Sequence, residues 1–148
     1  MNHKDLPDNV MRAFDNMVGE MKDKVIVPPP VFKAMKGEFL KFDEENGTLE
    51  NRFPILYEQL NPYGTMQGGI IAAAIDNTLG PLSMLVSPPN FTRNLEVKYR
   101  KTILPESEYV YVLGKFVEKK GRQLFLTASV HDNNGLEYAF AKAMHWVF

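Results

Sequence analysis

Asn61-Pro62-Tyr63-Gly64-Thr65-Met66-Gln67-Gly68-Gly69-Ile70-Ile71-Ala72-Ala73-Ala74-Ile75-Asp76-Asn77 decides the reading of this chain. Asn61 to Gly64 is a cluster of turn formers. Two glycines follow, then an aliphatic run, then one carboxylate. A helix is predicted from Met66 to about Leu85, kinked or divided at Gly80-Pro81, where proline removes a backbone donor. First-turn N–H groups of a helix lack intrahelical partners and carry the positive end of its dipole. With no side chain on Gly68 or Gly69, a carbonyl oxygen can approach those donors closely, which is what an oxyanion hole requires. The two glycines would serve equally well for close packing of the helix on a sheet. Asp76 is the second anomaly, because a carboxylate at the end of an aliphatic run is expensive to bury without partners. The competing explanation is that Asp76-Asn77-Thr78 caps a second helical piece ahead of Gly80-Pro81.

On either side of this segment the pattern changes. Asp8 to Met21 places Val10, Phe14, Met17, Val18 and Met21 at helical spacing, with Asp8 as the expected N-cap and Met11, Met17 and Met21 as ordinary packing residues. Pro28-Pro29-Pro30 reads as a short rigid connector. Gly37 to Phe42 and Thr48 to Ile55 are predicted strands around an Asn46-Gly47 turn. After the helix, Phe91, Arg93, Leu95, Val97 and Tyr99 alternate with polar neighbours, which assigns Thr92 to the polar face. Glu108 to Glu118 and Arg122 to Asp132 form an expected hairpin, and Leu136 to Phe148 a last strand. Four meandering strands are thus expected after the helix. In the last one, Ala139, Ala141 and Ala143 share a face; Tyr138, Phe140, Met144 and Trp146 share the other. Small residues on both helix and strand favour an inward alanine face, leaving an aromatic face outward as a subunit contact. The class is α+β, with one helix against an antiparallel sheet.

Composition limits the function. Seventeen basic and eighteen acidic side chains leave a net charge of −1, so no global field steers the protein to nucleic acid or an acidic membrane. The absence of cysteine removes thiolate chemistry and Cys-ligated metal, and fits a reducing cytoplasm. The N-terminal residues carry no apolar h-region, and the run Ile70 to Ile75 is far shorter than the ~20 residues of a spanning helix. A soluble cytoplasmic protein is expected. His3, His131 and His145 have no ligand spacing, so no metal site is expected. Lys98, Arg100 and Lys101 could touch a phosphate-bearing ligand, although a solvated strand face is the favoured reading. No G-x-S-x-G elbow, P-loop or G-x-G-x-x-G is present.

The central motif resembles that of the PaaI-like hotdog-fold acyl-CoA thioesterases, Asn-x-x-Gly-x-x-His-Gly-Gly followed by a helical Asp. Asn61, Gly64, Gly68, Gly69 and Asp76 stand at the expected spacings, and the likeness runs from about Lys36 to Phe148. The resemblance implies one hotdog domain over 1–148, with an N-terminal helix and connector in 1–30 and the core in 36–148. In such a core an antiparallel sheet wraps one long central helix. It also implies an acyl-CoA or other acyl thioester substrate and no cofactor. Asp76 resembles the family's general base or nucleophile, Gly68 the backbone donor to the thioester oxygen, and Asn61 the group orienting water or substrate. Gly64 and Gly69 would shape the substrate site. Thr92 matches a Ser/Thr that assists the Asp. The family histidine is Gln67 here, which can donate a hydrogen bond but cannot change charge.

Gly68 and Asp76 are eight residues apart, roughly 12 Å along a helix at ~1.5 Å per residue. A short Asp side chain cannot span that distance, so a complete site needs Gly68 of one chain and Asp76 of another. A homodimer, alone or within a homotetramer, is therefore expected. Two other readings are a non-catalytic acyl- or CoA-binding protein, with Gln67 marking lost chemistry, and a hotdog dehydratase. The latter needs an Asp/His pair, and the motif offers no such His.

Overall fold

In the computed structural model, residues 6–19, 21 and 23–148 are described. His3 and the side chains of Met17 and Val18 lie outside them. The order is helix α1 (Asp8–Val18), the short helix α2 (Pro30–Ala34), strands β1 (Glu38–Asp43) and β2 (Thr48–Pro54), helix α3 (Gly68–Val86), and strands β3 (Asn90–Tyr99), β4 (Tyr109–Lys120), β5 (Gln123–His131) and β6 (Glu137–Val147). One six-stranded antiparallel sheet runs β1-β2-β4-β5-β6-β3. The expected meander of four strands is therefore reduced to three. β3 crosses to the far edge and pairs with β6, which leaves one side of β3 without a neighbour among the described residues.

α3 lies across the sheet because one side of it is apolar at helical spacing. Ile71, Ala74, Ile75, Leu79 and Leu82 are buried against the inward residues of the strands, among them Leu49, Phe53, Val112, Leu126 and Val130. The closest approach is at Gly114 of β4, where an added Cβ would stand 3.1 Å from Leu79 and 3.2 Å from Thr78. Ala139, Ala141 and Ala143 face inward as expected, but the helix rests mainly on β4 and β5 and only lightly on β6. On the other face Phe140, Met144 and Trp146 are half-buried. Trp146 lies between the guanidinium groups of Arg93 and Arg122, 4.7 and 5.2 Å from its ring. Tyr138 departs from the expectation of an outward aromatic face: it is buried, with its hydroxyl 2.9 Å from Ser107.

α3 is not divided at Gly80-Pro81; it continues to Val86 with Pro81 inside. Proline has no N–H for the carbonyl of Asn77, four residues back. The fully buried Asn51 of β2 points its amide at that carbonyl (3.4 Å) and at Thr78 Oγ1 (3.1 Å). A neighbouring strand thus supplies a donor where the helix lacks one. The capping alternative for Asp76-Asn77-Thr78 fails on the same evidence. Asn77 Nδ2 and Thr78 Oγ1 donate backward to the carbonyls of Ala73 and Ala74, as mid-helix residues do. Nor is Asp8 the N-cap of α1; Pro7 holds that position and Asp8 lies in the first turn. Among the described residues α3 is the one helix long and apolar enough to cross a bilayer, a length that the run Ile70 to Ile75 understated. Its buried side against the sheet makes it the core helix of the fold.

Candidate active site

The loop before α3 is tied by Asn61. Its Oδ1 accepts from the backbone N–H groups of Tyr63 (2.9 Å) and Thr65 (3.2 Å), and its Nδ2 donates to Thr65 Oγ1 (2.8 Å). Gly64 closes this turn at φ +75°, where a side chain would be strained. The loop delivers Gln67 to the N-cap of α3, with its side chain exposed and no side-chain cap on the helix start. The Gln67 carbonyl accepts from Ile70 and Ile71, so the first-turn donors ahead of them are those of Gly68 and Gly69. Tyr99, at the end of β3, seats this helix start. Its hydroxyl donates to the Gly68 carbonyl at 2.7 Å, and a Cβ on Gly68 would meet its ring at 3.4 Å. Above Gly69 nothing lies within 4 Å of such a Cβ. A cavity of about 260 Å³ opens here, lined by Asn61, Gly68, Tyr99, Arg100 and Lys101 among others. Arg100 is paired with Glu137 at 3.1 Å.

Asp76 sits two turns further along the same unbroken helix, on its exposed side. The anticipated burial cost is therefore not incurred within one chain. Asp76 Oδ1 accepts a hydrogen bond from Thr92 Oγ1 at 2.8 Å. Strict alternation along β3 assigns Thr92 to the wrong face. A β-bulge between Thr92 and Asn94 shifts the phase of the strand by one residue. Leu95 and Val97 beyond the bulge face the core, Arg93 covers Trp146 on the outer face, and Thr92 ahead of it turns to the helix.

Behind Thr92 stands a residue that the motif did not contain. His145 continues the inward series of Ala139, Ala141 and Ala143 and is 1% exposed. Its Nε2 is 3.3 Å from Thr92 Oγ1, and its Nδ1 is 2.9 Å from Asn90 Oδ1. Because Asn90 Nδ2 is committed to the Pro88 carbonyl (3.0 Å), Asn90 offers oxygen to the ring, and Nδ1 carries the hydrogen. Nε2 then faces a hydroxyl whose proton already points to Asp76. Burial lowers the His145 pKa, against an opposing pull from the Asp76 charge, so the ring is neutral at neutral pH. Nε2 has no hydrogen to give and Thr92 has spent its own on Asp76, so Thr92 alone orients the carboxylate, and His145, held by Asn90, packs behind it. Counting the alanine alternation two residues further would have placed His145 here; its pairing with Thr92 needed the strand order.

No protein-family model matches the chain, and no curated protein matches its sequence. Solved structures do. The PaaI protein from the phenylacetic acid degradation operon of E. coli superposes with a TM-score of 0.76 at 9% identity, over 93% of this chain and 94% of its own. A Streptococcus mutans protein solved with acetyl CoA gives 0.71 at 19% identity, over 84% and 94%. Thioesterase HI1161 from Haemophilus influenzae gives 0.74 at 10% identity, over 82% and 84%. At such identities the likeness establishes architecture, and the architecture is that of the resemblance drawn from the motif: the chain has the hotdog fold, with α3 as its central helix.

Proposed function

We propose that this chain is an acyl-CoA thioesterase, hydrolysing an acyl thioester to a free acid and a thiol in a site shared by two copies of the chain. The observation that carries this reading is the Asp76 carboxylate, presented on the exposed side of the helix and oriented by Thr92. In the proposed reaction the Gly68 N–H donates to the thioester carbonyl oxygen and stabilises the negative charge that develops there. Asp76 either takes a proton from water as the water attacks the carbonyl carbon, or attacks that carbon itself. The C–S bond then breaks, and the thiolate leaves and is protonated; on the second route water then hydrolyses the anhydride left on Asp76, releasing the free acid and restoring the carboxylate. Gln67, exposed beside Gly68, donates to the substrate where the family has histidine. Asn61 holds the loop and positions water or substrate through it; Gly64 and Gly69 leave room for the thioester. Arg100 and Lys101, lining the opening at the helix start, would meet the phosphates of CoA. Two structural neighbours are in keeping with this chemistry, one named a thioesterase and one solved with acetyl CoA.

The shared site follows from the helix. Gly68 and Asp76 lie in one uninterrupted helix, so ~12 Å separates them within a chain. Both are bonded to the edge strand: Tyr99 to Gly68 and Thr92 to Asp76. Antiparallel pairing of two β3 edges about a twofold axis sets the Tyr99 end of one copy beside the Thr92 end of the other. That brings a Gly68 of one chain toward an Asp76 of its partner. A homodimer is the minimum assembly, with a dimer of dimers as its extension.

His145 does not favour the dehydratase reading. It lies behind Thr92 and is buried. The deciding experiment is thiol release from an acyl-CoA panel by the wild-type chain and by Asp76→Asn. The wild type should turn over at least one substrate, and the variant should lose at least ~10²-fold in kcat, the lower range for an acid–base group. Binding without release would favour the non-catalytic acyl-binding alternative; near-wild-type turnover by Asp76→Asn would remove Asp76 from the reaction.

A further inference from the structure

Gly80 has a consequence for the surface of α3. It stands inside α3, where glycine weakens a helix relative to alanine. Glycine eases the helical conformation directly before Pro81, and it leaves a gap: beyond its chain neighbours and the helix's own backbone, nothing lies within 4 Å of the place a Cβ would take. Four residues apart along a helix is one face, so Asp76, Gly80 and Met84 form a single row. That row is one wall of a cavity of about 310 Å³. The opposite wall comes from the N-terminal segment, chiefly Phe14, Val25 and Val27. Among the described residues Asp76 is the one charged residue of the lining, and it stands at one end of the row. Asn77 also lines the space, but its amide is turned back to the Ala73 carbonyl and the Met35 sulfur.

Resting on the reading of Asp76 as the reacting carboxylate, we propose that this cavity receives the acyl chain of the substrate and selects an apolar acyl group of medium length. An apolar slot with a carboxylate at the end where the thioester carbon must sit suits a hydrocarbon tail. From Asp76 to Met84 the row spans ~12 Å at 1.5 Å per residue, comparable to an extended decanoyl chain and far longer than acetyl. Gly80 is the residue whose missing side chain keeps the middle of the slot open, and Met84 closes its far end. Residues 25–29 are thus a specificity element, the outer wall of the slot.

The test is a series at Gly80, because a side chain there enters empty space. In Gly80→Ala, Gly80→Val and Gly80→Leu the ratio of kcat/KM for decanoyl-CoA to that for hexanoyl-CoA should fall stepwise. By leucine the fall should reach at least about tenfold, the discrimination a hydrophobic pocket gains from one methylene. Thermal melting reports folding; any side chain ahead of Pro81 is disfavoured in a helix, so Gly80→Ala carries that cost with little filling of the slot and is the reference for the valine and leucine variants. Met84→Ala should move the optimum toward dodecanoyl-CoA. Calorimetric binding of S-decyl-CoA and S-ethyl-CoA, thioethers that cannot be hydrolysed, measures the slot without turnover. S-decyl-CoA should bind more tightly than S-ethyl-CoA, and Gly80→Leu should erase the difference. Selective binding with no thiol release would sustain the slot while overturning the proposed activity. Hydrolysis with an unchanged chain-length ratio across the Gly80 series, or no preference for S-decyl-CoA, overturns the slot.

Discussion

Thr92→Val is the most informative single change at the proposed site, because it deletes one hydroxyl and keeps the branched shape. In the native chain that hydroxyl donates to Asp76 Oδ1 at 2.8 Å. A hydrogen bond to an ionised group contributes about 1.5–3 kcal/mol. At 1.36 kcal/mol per decade this corresponds to roughly a 10- to 150-fold loss of kcat/KM, provided the oriented carboxylate is what the transition state uses. The loss should reside mainly in kcat, since Thr92 is behind the carboxylate rather than against the substrate. Thr92→Ser restores the donor and should return activity to within a few-fold of wild type. The assay is thiol release on the best acyl-CoA of the panel, with secondary structure and thermal melting as folding controls. A folded Thr92→Val protein within twofold of wild type would refute the orientation argument. So would a Thr92→Ser variant as impaired as Thr92→Val, because the hydroxyl would then be irrelevant.

Three further outcomes are expected. Gln67→His should leave thiol release intact or raise it, since it restores the family pattern at an exposed helix N-cap; a large loss on a good substrate would give Gln67 a role of its own. Mixed refolding of Asp76→Asn chains with Gly68→Pro chains should recover up to about half the wild-type sites per heterodimer. Gly68 is the first residue of α3, a position that tolerates proline while losing its donor, and heterodimers confirmed by mass that stay inactive would refute the shared site. The third concerns pH. Burial holds the native His145 below its ordinary 6.5, so the unfolded chain binds the proton first as pH falls. Stability should therefore decline as pH drops below about 6.5, by up to about 1.4 kcal/mol per pH unit. His145→Gln should flatten that decline, measured as urea midpoints at pH 7.5 and 5.5.

Much of this molecule was legible in its residues, and the failures have identifiable physical causes. The helix from Gly68, the strand pairs and the inward alanines of β6 follow from periodicity, which burial enforces locally. Gly80-Pro81 misled because propensity rules do not see Asn51, brought to the helix from a strand 26 residues earlier in the chain. Thr92 was assigned by alternation, which a bulge at Arg93 resets; nothing local distinguishes a bulged strand from a regular one with an arginine in it. The four-strand meander failed because antiparallel neighbours need not be sequential. That crossing is what sets β3 against β6 and His145 against Thr92. The motif supplied candidate chemistry, while the residues behind it depended on long-range pairing.

The bulge also divides β3 into two units that can change independently. Beyond it Leu95 and Val97 serve the core; ahead of it Thr92 reaches the carboxylate and Asn90 holds His145. Arg93 is the extra residue that separates the two phases. Its loss would close the bulge into a regular strand in which Thr92 and Leu95, then two positions apart, still share the inward face. Asn90 and Thr92 would keep their direction toward the helix, and the strand would lose only the cover that Arg93 places on Trp146. The bulge is therefore a place where the strand can change length by one residue without turning either the polar groups or the core residues over.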